Sequence, residues 1–197
     1  MPRRNQLTEK RRELLPIVAR AFAELGYRRT TTAELARRCA VQENILYRLW
    51  PDKKAMFLAA IGYVYELSVS IWQKILGESD ELHTAAERLL DYEARHHGEF
   101  GHYRLVFAGL SETDDPEIRA ALVDMYRRYQ RFLVRQIEAH RSQRSTGAGV
   151  DAAWLAWAII GLGTVSSIGR ELGLFSEHGR QCMFAAIGRS LLGDGAV

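Results

Sequence analysis

Residues 31–50, TTAELARRCAVQENILYRLW, decide the fold. Thr31, Thr32, Ala33 and Glu34 have the T-x-x-E form of a capping box, with Thr31 as N-cap and Glu34 reaching back to it. Leu35, Ala36 and Cys39 then share one helix face. This helix must end near Ala40, because Val41 is apolar and Gln42 starts a new register. Ile45, Leu46 and Leu49 form the buried stripe of a further short helix. Two helices of about eight residues joined by a turn of three or four predict a helix-turn-helix.

Working outward, Leu14, Val18, Ala21, Phe22 and Leu25 are spaced for one buried face of a preceding helix, and Gly26 is its expected stop. Pro16 lacks a backbone donor, so this helix either begins near Pro16 or kinks there. The favoured reading is a start by about Thr8 with a bend at Pro16. Beyond the motif, Trp50 and Pro51 close the unit and Asp52 is placed to cap a long helix running to about Leu76. The apolar residues of that helix, from Met56 to Ile75, cover more than one face. Further helices are expected at about 80–97, 100–110, 115–142, 150–172 and 177–192, with Asp151 and Ser176 as caps for the last two. Strand-like alternation is absent, so the class is all-α. Low complexity is confined to Ser142–Gly149 and the tail after Leu192. The helix at 150–172 has hardly any polar face, which requires burial on nearly all sides or a partner over part of it.

The 197 residues carry a net charge of +3, unevenly distributed. Residues 1–54 hold 13 Lys and Arg against 6 Asp and Glu, a net +7, and the remainder is net −4. A basic first quarter suits a polyanion partner. No apolar run approaches the ~18 residues of a membrane span, and the basic, polar start has no secretion-signal pattern, so no membrane and a cytoplasmic location are expected. Cys39 and Cys182, far apart and in apolar helical patterns, are expected as buried thiols. His96, His97 and His102 match no zinc spacing. Without a nucleophile elbow or a phosphate-cradling glycine loop, no catalytic residue, metal or cofactor is predicted. Arg127, Arg128, Arg131 and Arg135 read as a solvated face.

With Ile45, Leu46 and Leu49 turned inward, the outer face of the motif's second helix offers Gln42, Glu43, Asn44, Tyr47 and Arg48. Gln and Asn bond an adenine edge bidentately, Arg does the same to guanine, and Glu accepts from cytosine. These groups lie at the helix start, the part that enters the major groove in such motifs.

The stretch from Arg12 to Phe57 resembles the N-terminal domain of the TetR family of transcriptional regulators. The matching features are Ala21-Phe22, Gly26-Tyr27, Thr31-Thr32, Leu35-Ala36, Val41, Leu46-Tyr47, Trp50 and the Pro51-Asp52-Lys53 turn. Where the family usually has a turn glycine this chain has Ala40, and Gln42 replaces the serine that often caps the recognition helix. The resemblance implies DNA contacts at Thr31, Thr32, Gln42, Glu43, Asn44, Tyr47, Arg48 and Lys53. The threonines and Lys53 stand at helix starts suited to phosphate, and Arg3, Arg4, Lys10, Arg28 and Arg29 add non-specific attraction. Glu43 either reads a cytosine or complements the helix dipole.

The resemblance further implies a DNA-binding domain at 1–54 and a helical effector-binding and dimerisation domain at 55–197. The small residues Gly161, Gly163, Ser166, Ser167 and Gly169 would admit a neighbouring helix in a homodimer. Trp72, Tyr92, His96, Tyr103, Phe107, Tyr126, Tyr129 and Trp154 would line a chamber for a small, partly apolar ligand. The expected protein is a repressor, released from a palindromic double-stranded operator by that ligand. The competing readings are an α-helical enzyme using the same chamber, or a regulator acting only through protein partners.

Overall fold

The computed structural model describes residues 2–77, 83–144 and 150–192. Among these, nine helices and no strand occur: α1 (Pro2–Arg29), α2 (Thr32–Arg38), α3 (Glu43–Leu49), α4 (Lys53–Gly77), α5 (Ala85–His96), α6 (Tyr103–Leu110), α7 (Pro116–Arg144), α8 (Ala152–Glu171) and α9 (Glu177–Leu192). The all-α expectation holds. The side chains of Arg3 and Arg4 lie outside the described residues, as does most of the low-complexity stretch, since α7 reaches Arg144.

Helix α1 corrects the expected start near Thr8: it begins at Pro2 and runs through Pro16. The carbonyl orphaned by a proline is that of the residue four back, here Arg12, which lies on the exposed side where water can satisfy it. The interruption falls instead at Gly26, with φ 75 and ψ 166. No atom would obstruct a Cβ there, so the glycine is required by the backbone angle rather than by space.

The chain forms two compact units, residues 1–68 with 100–125, and residues 69–99 with 126–197. The first unit is built on Leu14, Val18, Phe22, Leu35, Leu46, Trp50, Met56, Phe57 and Ile61, all buried. Phe22 meets Phe57 edge to face at 4.9 Å between centroids. The corner between α6 and α7 joins this unit through Arg28 Nε to Glu112 Oε1 at 2.8 Å and through Lys54 to Asp115 and Glu117.

The second unit packs Leu89, Leu90, Phe132, Ile137, Leu155, Ala156, Leu162 and Phe184 in one cluster. Helix α5 starts at Ala85 rather than near residue 80, because Thr84 and Glu87 form a complete capping box. Asp151 accepts from the Ala153 amide at 2.7 Å, and Ser176 from the Gly179 amide at 3.0 Å, as the expected caps. Two expectations about side chains are corrected. Cys182 is exposed, with its Sγ 3.4 Å from His178 Nε2, whereas Cys39 is buried. Gly163 and Gly169 serve packing within the chain: a Cβ would meet the His97 ring at the former and the Phe175 ring at the latter. Ser166 and Ser167 are buried beside them. Only Gly161 of the small-residue set is exposed.

Helices α4 and α8 are long and apolar enough to cross a membrane by length and composition, contrary to the expectation that no such run exists. Both supply buried faces: α4 through Met56, Phe57, Ala60, Ile61, Val64 and Tyr65, and α8 through Leu155, Ala156 and Leu162. The opposite face of α8 remains open in the single chain, with Trp154 71% and Leu172 67% exposed.

Candidate nucleic-acid interface

Helix α2 opens on Thr31, whose hydroxyl accepts from the Glu34 amide at 3.1 Å. Only this half of the expected capping box forms. The Glu34 carboxylate turns to Arg37 at 2.8 Å and to Arg38 at 2.7 Å instead, two charge-assisted partners in place of one amide. These guanidinium groups hold Glu34 down at a pKa of about 2. Arg38 also meets Glu24, which ties α2 to α1.

The turn after α2 sets the angle of α3. The Val41 amide donates to the Ala36 carbonyl at 3.0 Å and the Ala40 amide to the Arg37 carbonyl at 3.2 Å. This pair of bonds is a Schellman motif, which needs a left-handed residue in the position of Ala40. Ala40 has φ 52. Helix α3 then starts after Gln42, which makes no side-chain cap hydrogen bond.

Leu46 is buried in α3, and Ile45 and Leu49 are half-buried. That packing turns Gln42, Glu43, Asn44, Tyr47 and Arg48 to the surface together. Tyr47, 48% exposed, donates its hydroxyl to Thr32 Oγ1 at 3.2 Å, linking the exposed face of α3 to the start of α2. Lys53 begins α4, where Asp52 accepts from the Ala55 amide at 2.7 Å. The Lys53 ammonium donates to the Tyr27 carbonyl at 3.1 Å and lies 4.4 Å from the Tyr27 ring centroid. Burial, followed by the charge of Asp115, raises the pKa of the Tyr27 phenol. The placement of Tyr27 was not read from the sequence, because its contact with Lys53 spans 26 residues and depends on the turn at Gly26.

The residues expected to line a ligand chamber divide between the units. In the second unit, Trp72 lies against Tyr129 and Phe132, with centroids 5.5 and 5.1 Å away, and donates Nε1–H to Glu93 Oε1 at 2.6 Å. The other Glu93 oxygen is 2.8 Å from His97 Nδ1, and His97 Nε2 is 2.8 Å from the Gly163 carbonyl. Glu93 and His97 were absent from the expected set, and their contacts with α4 and α8 have no local sequence signal. Tyr92 lies beside His96, which is exposed and meets Glu99. Tyr126 contacts Trp157, and its phenol pKa is raised by burial. Trp154 stands on the surface of the single chain. Tyr103 and Phe107 pack edge to face with each other in the first unit.

Residues 19–60, which carry this helix-turn-helix, match the family described as bacterial regulatory proteins, tetR family. These residues form a DNA-binding domain of the TetR-family kind. The matched segment is a DNA-binding helix-turn-helix. Related proteins fit. The nucleoid occlusion factor SlmA of Pasteurella multocida (strain Pm70) is 23% identical over 166 residues, covering 82% of each chain. The HTH-type transcriptional regulator YuxN of Bacillus subtilis (strain 168) is 26% identical over 114 residues, 56% of this chain and 39% of that protein. The chain thus spans well under half the length of YuxN. A TetR-family regulator from Cytophaga hutchinsonii has the same fold, with a TM-score of 0.78, 15% identity and 96% of each chain covered. So does a transcriptional regulator from Saccharomonospora viridis in complex with choline, with a TM-score of 0.70 and 20% identity over 89% of this chain and 94% of that one.

Proposed function

We propose that this protein is a TetR-family regulator that acts as a homodimer on a palindromic operator, reading bases with α3 and gripping phosphates at the starts of α2 and α4. The observation that carries the reading is the surface of α3. Five groups able to bond base edges or backbone, Gln42, Glu43, Asn44, Tyr47 and Arg48, are turned outward together by one buried leucine, Leu46. Thr31, Thr32 and Lys53 stand at the first turns of their helices, where backbone donors and the helix dipole favour an anion. In this reading residues 1–54 are the DNA-binding domain and residues 55–197 the effector and dimerisation domain. The effector is a small, partly apolar molecule, for which Trp72, Tyr129 and Phe132 supply aromatic surface and Glu93 a polar handle. Its binding releases the operator, which makes the protein a repressor.

Selection of binding sites from a random duplex pool tests the reading, and a palindrome is the expected result. Arg48→Ala then weakens the selected operator more than scrambled DNA, by about 1–3 kcal/mol if Arg48 makes a bidentate contact to guanine. Lys53→Ala weakens both duplexes alike and lowers the slope of log K against log salt by about one, as one fewer counterion is released. Equal loss of both duplexes in Arg48→Ala would remove Arg48 from base reading.

A further inference from the structure

Two adjacent lysines open α4, and the fold treats them in opposite ways. Lys54 is directed to the carboxylates of Asp115 and Glu117, so its charge is compensated within the protein. Lys53 is directed to uncharged groups: the Tyr27 carbonyl at 3.1 Å and the Tyr27 ring face at 4.4 Å. A carbonyl and a ring hold an ammonium without cancelling it, and a lysine carries three N–H donors, of which the carbonyl takes one. The support beneath is rigid. The Tyr27 ring stacks on Phe22 at 6.2 Å and tilts against Phe57 at 4.9 Å, and both phenylalanines are fully buried. The left-handed turn at Gly26 delivers Tyr27 to this place, and the buried Thr30 hydroxyl closes the turn by donating to the Gly26 carbonyl at 2.6 Å.

We infer that Tyr27 is a positioning residue for DNA binding: its ring and carbonyl hold the Lys53 ammonium with its charge uncompensated and its remaining donors ready for a DNA phosphate. The inference rests on the reading of Lys53 as a phosphate contact. Its physical content is preorganisation. A lysine side chain left free would lose its rotamer freedom on binding, and here most of that ordering precedes the arrival of DNA.

The experiment is a double-mutant cycle on the full-length protein, with affinity for a selected operator as the readout. Tyr27→Phe keeps ring and carbonyl and leaves affinity unchanged. Tyr27→Leu keeps the carbonyl and removes the ring, and the expected loss is about 2- to 5-fold, the worth of one exposed cation–π contact. In a Lys53→Met background the same change costs nothing further. A purely structural role for Tyr27 would weaken binding equally in both backgrounds, and that additivity overturns the inference while leaving Lys53 as a phosphate contact. If Lys53→Met changes neither affinity nor salt slope, the phosphate reading falls and the inference with it. Should Tyr27→Leu fold poorly by thermal melting, phenylalanines of increasing ring fluorination at position 27 weaken the ring face without emptying the site. Affinity is then expected to fall stepwise with fluorination, and a flat series overturns the inference.

Discussion

Ala40 occupies the one left-handed, non-glycine position among the described residues, at φ 52, and it does so at the hinge of the DNA-reading motif. The left-handed conformation costs an L-residue about 1–2 kcal/mol. Glycine relieves that strain but brings about 0.4–1 kcal/mol of extra unfolded-state entropy. The strain is the larger quantity, so Ala40→Gly is expected to stabilise the protein by up to about 1 kcal/mol, raising the melting temperature by roughly 2–4 °C per kcal/mol for a chain of this size. Ala40→Val, with a branched side chain at the same angle, is expected to lower it. A thermal melt of the three proteins decides, and a lower melting point for the glycine variant would contradict the argument. Glu34 offers a second measurement at this scale. Its two arginine partners depress its folded pKa to about 2 from an ordinary 4.5. Its stabilising contribution is therefore complete above about pH 4.5 and is lost as pH falls toward 2. Glu34→Gln is expected to flatten that part of the stability profile.

Among the elements, α6 meets the DNA-binding helices through a histidine at its start, and the corner after it adds ion pairs. His102, at the N-cap of α6, lies edge-on to Tyr63 of α4 at 6.2 Å. Burial, and secondarily Arg20 of α1, lowers its pKa from 6.5. The folded state thus disfavours the charged imidazole relative to the unfolded chain. Stability from this group is present above about pH 6.5 and declines as pH falls from there through the folded pKa, because the unfolded chain takes up the proton first. His102→Gln is expected to remove that slope below about pH 6.5 in urea midpoints. An unchanged slope would assign it to another group. How legible each element was in the sequence follows from how local its signals are. The bounds of α8 and α9 were readable because Asp151 and Ser176 cap them locally. The start of α5 was missed although Thr84 and Glu87 carry the same T-x-x-E signature as Thr31 and Glu34. The exposed face of α3 was readable because inside and outside alternate within its seven residues. The pairing of Arg28 with Glu112, 84 residues away, and the seat of Lys53 on Tyr27 depend on tertiary placement, which no local pattern encodes.

For the whole molecule, the surface that calls for a partner is concentrated on α8. Its buried side is formed by Leu155, Ala156, Leu162, Gly163, Ser166, Ser167 and Gly169. Trp154, Trp157, Gly161, Val165, Ile168 and Leu172 recur at three- and four-residue intervals on the opposite side, and all are exposed. That stripe carries no charged residue over five turns of helix, which is unusual for a surface facing water. A second copy of the same face would cover it in an isologous contact, the arrangement that also gives a dimer the two-fold symmetry a palindromic site requires. Val165→Asp combined with Ile168→Asp tests the assignment. Both positions are exposed in the single chain, so the carboxylates remain hydrated in a monomer and the helical circular dichroism is expected to stay unchanged. In the dimer each carboxylate would be desolvated opposite its own copy, at a cost of several kcal/mol per buried ion. Light scattering at micromolar concentration is expected to give a dimer mass for the native protein and a monomer mass of about 22.4 kDa for the variant. Operator affinity is expected to collapse in parallel, since two half-sites no longer bind as one. Val123→Asp places the same charge on an exposed apolar residue of the first unit and is expected to leave the dimer mass intact. A double variant that remains dimeric would move the interface away from this face of α8, and a native protein that is monomeric would leave the stripe without the partner its composition requires.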